Sequence, residues 1–318
     1  MNALRFDGKV VLVTGSGRGL GRAYAMLFAA RGASVVVNDP GVSLGGDGSD
    51  HQFAQQVADD INRAGGKAVA NFDSVATEAG ANAMVAQAIK SFGRIDVVVN
   101  NAGNFTARYP LEETTSATFE SLWRVHVLGS TNVIRAAWPH MRAQNYGRIV
   151  NIASHAGYLG FKGNIEYSSA KGAIHGLTRA LALESAEHGI AVNAVAPFAM
   201  TRPVISFFGG GAPTGGAFAV ELPAPVVVWL AHEDCKVNGE SFGAMSGTTT
   251  RIRIAESHGH LDKSPTPESI RDNFDKIMDQ AAFDASGLIF GFDSEARGGE
   301  SIGAYEGAAV TTIAARIT

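Results

Sequence analysis

The stretch VVLVTGSGRGLGRAYAMLFAARG, Val10 to Gly32, decides the fold. Its first five residues are apolar or β-branched without alternation, as a strand covered on both faces requires. Gly15, Gly19 and Gly21 follow in a G-x-x-x-G-x-G spacing, and apolar residues then recur at helical spacing as far as Ala30. A strand, a glycine turn and a helix in that order bring unpaired N–H groups at a helix N-terminus close to whatever fills the turn. An anion is the favoured occupant. The stricter G-x-G-x-x-G spacing fails, because Leu20 stands in its last place.

The same alternation continues along the chain. Apolar strand patterns fall at Val10–Thr14, Ser34–Asn38, Ala68–Phe72, Ile95–Asn100, Arg148–Ile152 and Ile190–Val195. Helical patterns separate them at about Gly19–Ala30, Asp50–Ala64, Thr77–Phe92, Thr114–Arg142 and Glu166–His188. Strand–helix alternation with right-handed crossovers gives an α/β fold, a Rossmann-type doubly wound parallel sheet. Residues 1–255 are expected to form this one domain, and residues 256–318 a C-terminal extension. Within the extension, Thr266–Pro267–Glu268 reads as an N-cap followed by proline at the first helical position, so a helix is expected near 267–282. No internal repeat is present.

In such a fold the glycine turn suits a dinucleotide pyrophosphate. Asp39 ends the second strand, where its carboxylate can accept hydrogen bonds from the adenosine ribose and repels a 2′-phosphate. Arg18 argues the other way, since a guanidinium beside that ribose suits a 2′-phosphate. The fixed anion outweighs an arginine free to point to solvent, so NAD is the expected cofactor. The alternative role for Asp39 is that of a turn residue before Pro40.

Composition narrows the partners. The 318 residues are 46% apolar and 18% charged with a net charge of −4, and no dense Lys/Arg tract occurs. Nucleic acid is therefore not an expected partner. No uncharged apolar run approaches the length of a membrane span, and MNALRFDGKV lacks the apolar core of a signal peptide. The lone Cys235 forms no internal disulfide and fits a reducing compartment. A cytoplasmic location is expected. His258 and His260 in SHGHL have no third ligand at suitable spacing, so no metal is expected.

EYSSAK, Glu166 to Lys171, sets a phenol and an ammonium one helical turn apart, on one face. Such a pair is an ordinary solvated contact on many helices. Here it lies in one chain with TGSGRGLG, with NNAG (Asn100–Gly103) and with the serine of NIASHAG, in that order. Over roughly residues 5–250 this set resembles the short-chain dehydrogenase/reductase family. The resemblance implies that Tyr167 is the general base that takes the hydroxyl proton as hydride leaves for a nicotinamide. Lowering a phenol from ~10 to about 7 needs about 4 kcal/mol. An ammonium ~5 Å away supplies roughly 3 kcal/mol at an effective dielectric of 20.

The resemblance further implies that Lys171 binds the nicotinamide ribose and that Ser154 hydrogen-bonds the substrate oxygen. Asn101, Ala102 and Gly103 line the adenine ribose side, Asp73 contacts adenine, and Thr201 bonds the cofactor carboxamide. Two positions depart from the family pattern. An asparagine commonly holds a relay water on the central helix, where this chain has His126 in HVLG. The imidazole either holds that water or is a packed helix residue. Pro197 is followed by Phe198 rather than glycine.

Within the family, RFDGKVVLVTG, VVVNDPGVSLGGDG, RIDVVVNNAGN, RVHVLGS, RAAWPHM and YGRIV are similar to the dehydrogenase part of type 2 peroxisomal multifunctional enzymes. That subgroup implies oxidation of (3R)-3-hydroxyacyl-CoA thioesters with NAD, with relatives acting on 17β-hydroxysteroids, and a homodimer or homotetramer. The competing readings are an NADPH-linked 3-oxoacyl thioester reductase and a catalytically silent NAD-binding scaffold. No hydratase or sterol-carrier stretch follows, and the end ARIT is not a peroxisomal signal, so a stand-alone bacterial-type enzyme is expected. The stretch 198–220, with Phe207, Phe208 and Phe218 among glycines, is expected to be either a mobile apolar lid or a surface loop packed on one side.

Overall fold

The computed structural model describes residues 3–43, 45–105, 109–207, 215–254, 257 and 259–278, with the backbone alone at 203, 206 and 207. Among the described residues, eight strands form one sheet in the order β3-β2-β1-β4-β5-β6-β7-β8. They are β1 (Val10–Thr14), β2 (Ser34–Asn38), β3 (Lys67–Asn71), β4 (Val97–Asn100), β5 (Gly147–Ile152), β6 (Ile190–Phe198), β7 (Ser241–Met245) and β8 (Thr248–Ile252). The first seven pair in parallel. β8 follows β7 after Ser246 and Gly247, both at positive φ, which is the two-residue turn that closes a hairpin. Neither of these last two strands is expected from sequence. SFGAM has no β-branched run, and TTTRI lies exposed at the sheet edge.

Side chains alternate across the sheet with period two. Val11, Val13, Val35, Val37, Val97 and Val99 join one core with Tyr24 and Phe28 of α1 (Gly19–Ala30). The same core takes Val57 and Ile61 of α2 (Gln52–Arg63). Val10, Leu12, Val36 and Val98 join the opposite core, with Met84 and Val85 of α3 (Glu78–Phe92). This two-sided burial is why these strands read as unbroken apolar runs. Cys235 is a buried filler of the first core.

The long helical pattern Thr114–Arg142 breaks into α4 (Ser116–Trp123), a π-helical turn Arg124–Leu128, and α5 (Gly129–Gln144). The wider turn rotates His126 inward, where it is 3% exposed. After β5 come α6 (Ala156–Leu159) and the long α7 (Ile165–Ser185); after β6 come α8 (Arg202–Phe207) and α9 (Ala224–Leu230). Because β1 and β4 are neighbours while their crossovers diverge, a crevice opens beyond their carboxyl ends.

Backbone contacts divide the chain at Arg251/Ile252. The second unit holds α10 (Pro267–Asp272) and α11 (Phe274–Ile277), where the sequence suggests one helix to 282. Thr266 caps α10 reciprocally with Ser269. Residues 279–282 of that expectation lie outside the described residues. Among the described residues, no helix is long and apolar enough to cross a membrane.

Candidate active site

The glycine turn is built by steric necessity. A Cβ on Gly21 would meet the Gly15 carbonyl oxygen at 2.3 Å, and one on Gly15, at φ +63°, would meet Ala102 Cα at 2.8 Å. Asn101 fastens the turn to the next strand. Its Nδ2 donates to the carbonyls of Thr14 and Gly15 at 2.9 Å each. The amides of Asn101 and Ala102 donate to Thr14 Oγ1 at 3.0 Å. Asn101 is thus a structural brace at the cofactor end, its amide committed to the backbone.

α1 begins with no side-chain cap and no acidic residue in its first turn. Gly19, Leu20 and Gly21 line a cavity of about 480 Å³ at the crevice, together with Gly15, Ala102 and Gly103. Uncapped helix amides facing this cavity, beside a turn that excludes a Cβ at Gly15 and Gly21, fit a pyrophosphate. Asp39 lines the same cavity, and its two carboxylate oxygens accept from Gly17 N at 2.9 Å and Gly41 N at 2.8 Å. Arg18 also lines it, but its guanidinium lies 3.6 Å over the Phe53 ring and donates to the Val42 carbonyl at 2.9 Å. It is bound to the loop after β2 rather than directed to solvent. Asp73 is not among the lining residues; its carboxylate accepts from Asn71 Nδ2 at 2.7 Å, while its neighbours Ser74 and Val75 face the cavity. Pro197 and Thr201 line the far wall, with Thr201 Cγ2 3.8 Å from a Cβ built on Gly19.

Ser154, Tyr167, Lys171 and His126 converge on that cavity. Tyr167 and Lys171 share a face of α7, and Lys171, 5% exposed, donates from Nζ to the Ile152 carbonyl at 2.5 Å. Nζ stands 5.7 Å from the Tyr167 ring centroid. Electrostatics here differ from the simple Coulomb argument. Burial pushes the Lys171 ammonium down to about 7. Burial also raises the Tyr167 phenol, and the Ser154 hydroxyl, hydrogen-bonded to it, works in the opposite direction. Desolvation, the largest influence on each, favours the neutral form of both groups.

His126 stands edge-on to the Tyr167 ring at 5.5 Å. Its Nε2 pairs with the Asn104 carbonyl at 2.9 Å. A carbonyl only accepts, so Nε2 carries the proton and Nδ1 presents a lone pair. That Nδ1 is buried with no partner. Burial, and then the Lys171 charge, drive the imidazole down to about 3. Gly103 accommodates it, since a Cβ there would lie 2.4 Å from His126 Cε1. His126 is therefore a neutral acceptor in the cavity wall.

Residues not singled out from sequence complete the walls. Asn104 and Asn164 are buried with Oδ1 unpartnered, and Phe105 packs edge-on to Tyr167 at 5.6 Å. Asn104 follows NNAG directly and Asn164 lies three residues before Tyr167, which is the only sequence signal either carries. Phe198 and Phe218 pack edge-on at 5.8 Å. Phe208 and the Phe207 side chain, expected in an apolar lid, lie outside the described residues, as does His258. Among the described residues, no group of three or more His, Cys, Asp or Glu could hold a metal ion.

A family model described as short chain dehydrogenase matches residues 9–205, which hold the glycine turn and all four converging side chains. The chain belongs to the short chain dehydrogenase family. It is an oxidoreductase acting on a CH–OH group, and its fold implies a nicotinamide cofactor. The chain is 45% identical to mouse peroxisomal multifunctional enzyme type 2 over 283 residues, 87% of this chain and 37% of the mouse protein. It thus spans well under half of that relative's length. A Mycobacterium tuberculosis short-chain type dehydrogenase/reductase is 37% identical over 88% of this chain and 97% of its own length. The crystal structure of a short chain dehydrogenase from Mycobacterium avium superposes with a TM-score of 0.75 at 36% identity, covering 86% of this chain and 97% of the other.

Proposed function

We propose that the protein oxidises the secondary alcohol of a (3R)-3-hydroxyacyl-CoA to the ketone with NAD, with steroid or steroid side-chain thioesters as the further candidates to assay. The observation that carries this reading is the convergence of Ser154, Tyr167 and Lys171 in the cavity that also holds the glycine turn and Asp39. When bound, the nicotinamide supplies a two-electron hydride acceptor. The chain's own residues do the rest. Ser154 holds the substrate oxygen against the phenol, and Tyr167 removes the hydroxyl proton. In its protonated form Lys171 stabilises the phenolate, and burial brings that ammonium down to about 7. His126 Nδ1 offers the acceptor through which a water joins the path of the proton.

Two features support NAD over NADP. Asp39, held by the Gly17 and Gly41 amides, presents a carboxylate to the cavity that would repel a 2′-phosphate, and Arg18 is engaged by Phe53 and Val42. A second reading, reduction of a 3-oxoacyl thioester with NADPH, is favoured by the neutral phenol, which is a proton donor. Leu128 and Leu183, both about half exposed, support self-association into a homodimer or homotetramer.

Hydroxyacyl-CoA esters and hydroxysteroids assayed at 340 nm with each cofactor test the reading, with Tyr167→Phe as control. Oxidation of the CoA esters with NAD, lost in the variant, is expected. A strong preference for the phosphorylated cofactor selects the reductase, and tight NAD binding without turnover selects a silent scaffold.

A further inference from the structure

A second concavity of about 330 Å³ lies beside the catalytic cavity, lined by Tyr109, Leu111, Phe161, Lys162, Ile165 and Ser168, with Gly160 and Gly163 in its floor. Phe161 lines both spaces, so the two adjoin at its side chain. Its walls come from the segment after β4, the loop between α6 and α7, and the first turn of α7. They are fastened together by the Tyr109 amide donating to the Gly163 carbonyl at 3.1 Å, and the second loop closes on itself through Asn164 N to the Phe161 carbonyl at 3.2 Å. The groove is therefore built rather than slack. Large apolar side chains line it part-exposed, Leu111 at 66%, Phe161 at 47% and Ile165 at 40% exposure.

We infer that this groove receives the apolar acyl tail of the substrate and sets the preferred chain length, an inference that rests on the hydroxyacyl thioester reading above. The opposite arm of such a thioester carries amides and phosphates, which need polar partners, and apart from Lys162 and the Tyr109 and Ser168 hydroxyls the groove side chains are apolar. Asn104 and Asn164 line the catalytic cavity instead, and their buried, unpartnered Oδ1 atoms suit donors on the polar arm. A tail leaving the Ser154–Tyr167 site past Phe161 runs into the groove without crossing a polar wall. Each methylene fully removed from water is worth about fourfold in binding, so even a partly open groove separates short chains from long ones.

The test compares 3-hydroxybutyryl-CoA with 3-hydroxydodecanoyl-CoA for the wild type and for Leu111→Ser and Ile165→Ser, two substitutions that touch the groove alone. Leu159→Ser is the control, because Leu159 is 82% exposed but does not line the groove. We expect kcat/KM for the twelve-carbon ester to fall about tenfold in each groove variant, with the four-carbon ester and the Leu159 variant within twofold of wild type. Equal losses at both lengths, or no loss at either, overturn the inference. So does a change in molecular mass by size exclusion that accompanies the loss, since the groove would then be a subunit contact. If the wild type oxidises neither ester, the functional reading fails by itself. Calorimetric binding of dodecanoyl-CoA against butyryl-CoA then decides the groove separately, and equal affinities for both would overturn it.

Discussion

Replacing His126 by glutamine should make the protein less sensitive to acid. The imidazole is neutral in the folded state down to about pH 3, because burial and the neighbouring Lys171 oppose its charge. Unfolded, it takes a proton at about 6.5. Between those values the unfolded chain binds the extra proton, so stability attributable to this site falls as the pH drops below 6.5. The slope is about 1.4 kcal/mol per pH unit, or about 3 kcal/mol lost at pH 4.5 and about 5 kcal/mol by pH 3. Glutamine carries a donor where Nε2 stands, so the bond to the Asn104 carbonyl is kept while the titration is removed. Denaturant titrations of both proteins at pH 7.5 and 4.5 measure the effect. The variant should gain about 3 kcal/mol on the wild type between the two pH values, which in a domain of this size is roughly 6–12 °C in Tm. A gain under about 0.5 kcal/mol, or an imidazole NMR signal from His126 that titrates near 6, refutes the claim of a desolvated neutral histidine.

Three further outcomes are expected. Lys171→Met should abolish turnover yet raise stability at pH 7 by about 2–4 kcal/mol, the cost of a buried ammonium less that of an unpaired carbonyl. The wild type should in turn gain stability as the pH rises from about 7 towards 10.5, a gradient absent from the variant; matched thermal melts across that range check both. Gly21→Ala drives a Cβ into the Gly15 carbonyl, so NAD affinity by calorimetry should fall at least about tenfold, and binding at wild-type strength would contradict the steric account of the turn. Arg18→Leu should weaken NAD binding a few-fold by loosening the loop after β2 while leaving the NAD-to-NADP ratio unchanged. A selective collapse of NADP use in that variant would mean that Arg18 reads a 2′-phosphate after all.

Sequence alone determined what is local or strongly patterned. β1, the glycine turn and α1 were legible because glycine spacing and unbroken apolar runs report backbone sterics and two-sided burial directly. The Tyr167–Lys171 pairing was legible because four residues make one helical turn. Tertiary structure decided what depends on neighbours distant in the chain. Arg18 is held by Val42 and Phe53, Asn101 by Thr14 and Gly15, and the π turn that buries His126 interrupts a pattern that reads as one continuous helix. The charge states of Tyr167 and Lys171 belong to the same class. Spacing sets how near two groups lie, but the depth of burial, which only packing creates, determines whether attraction or desolvation prevails.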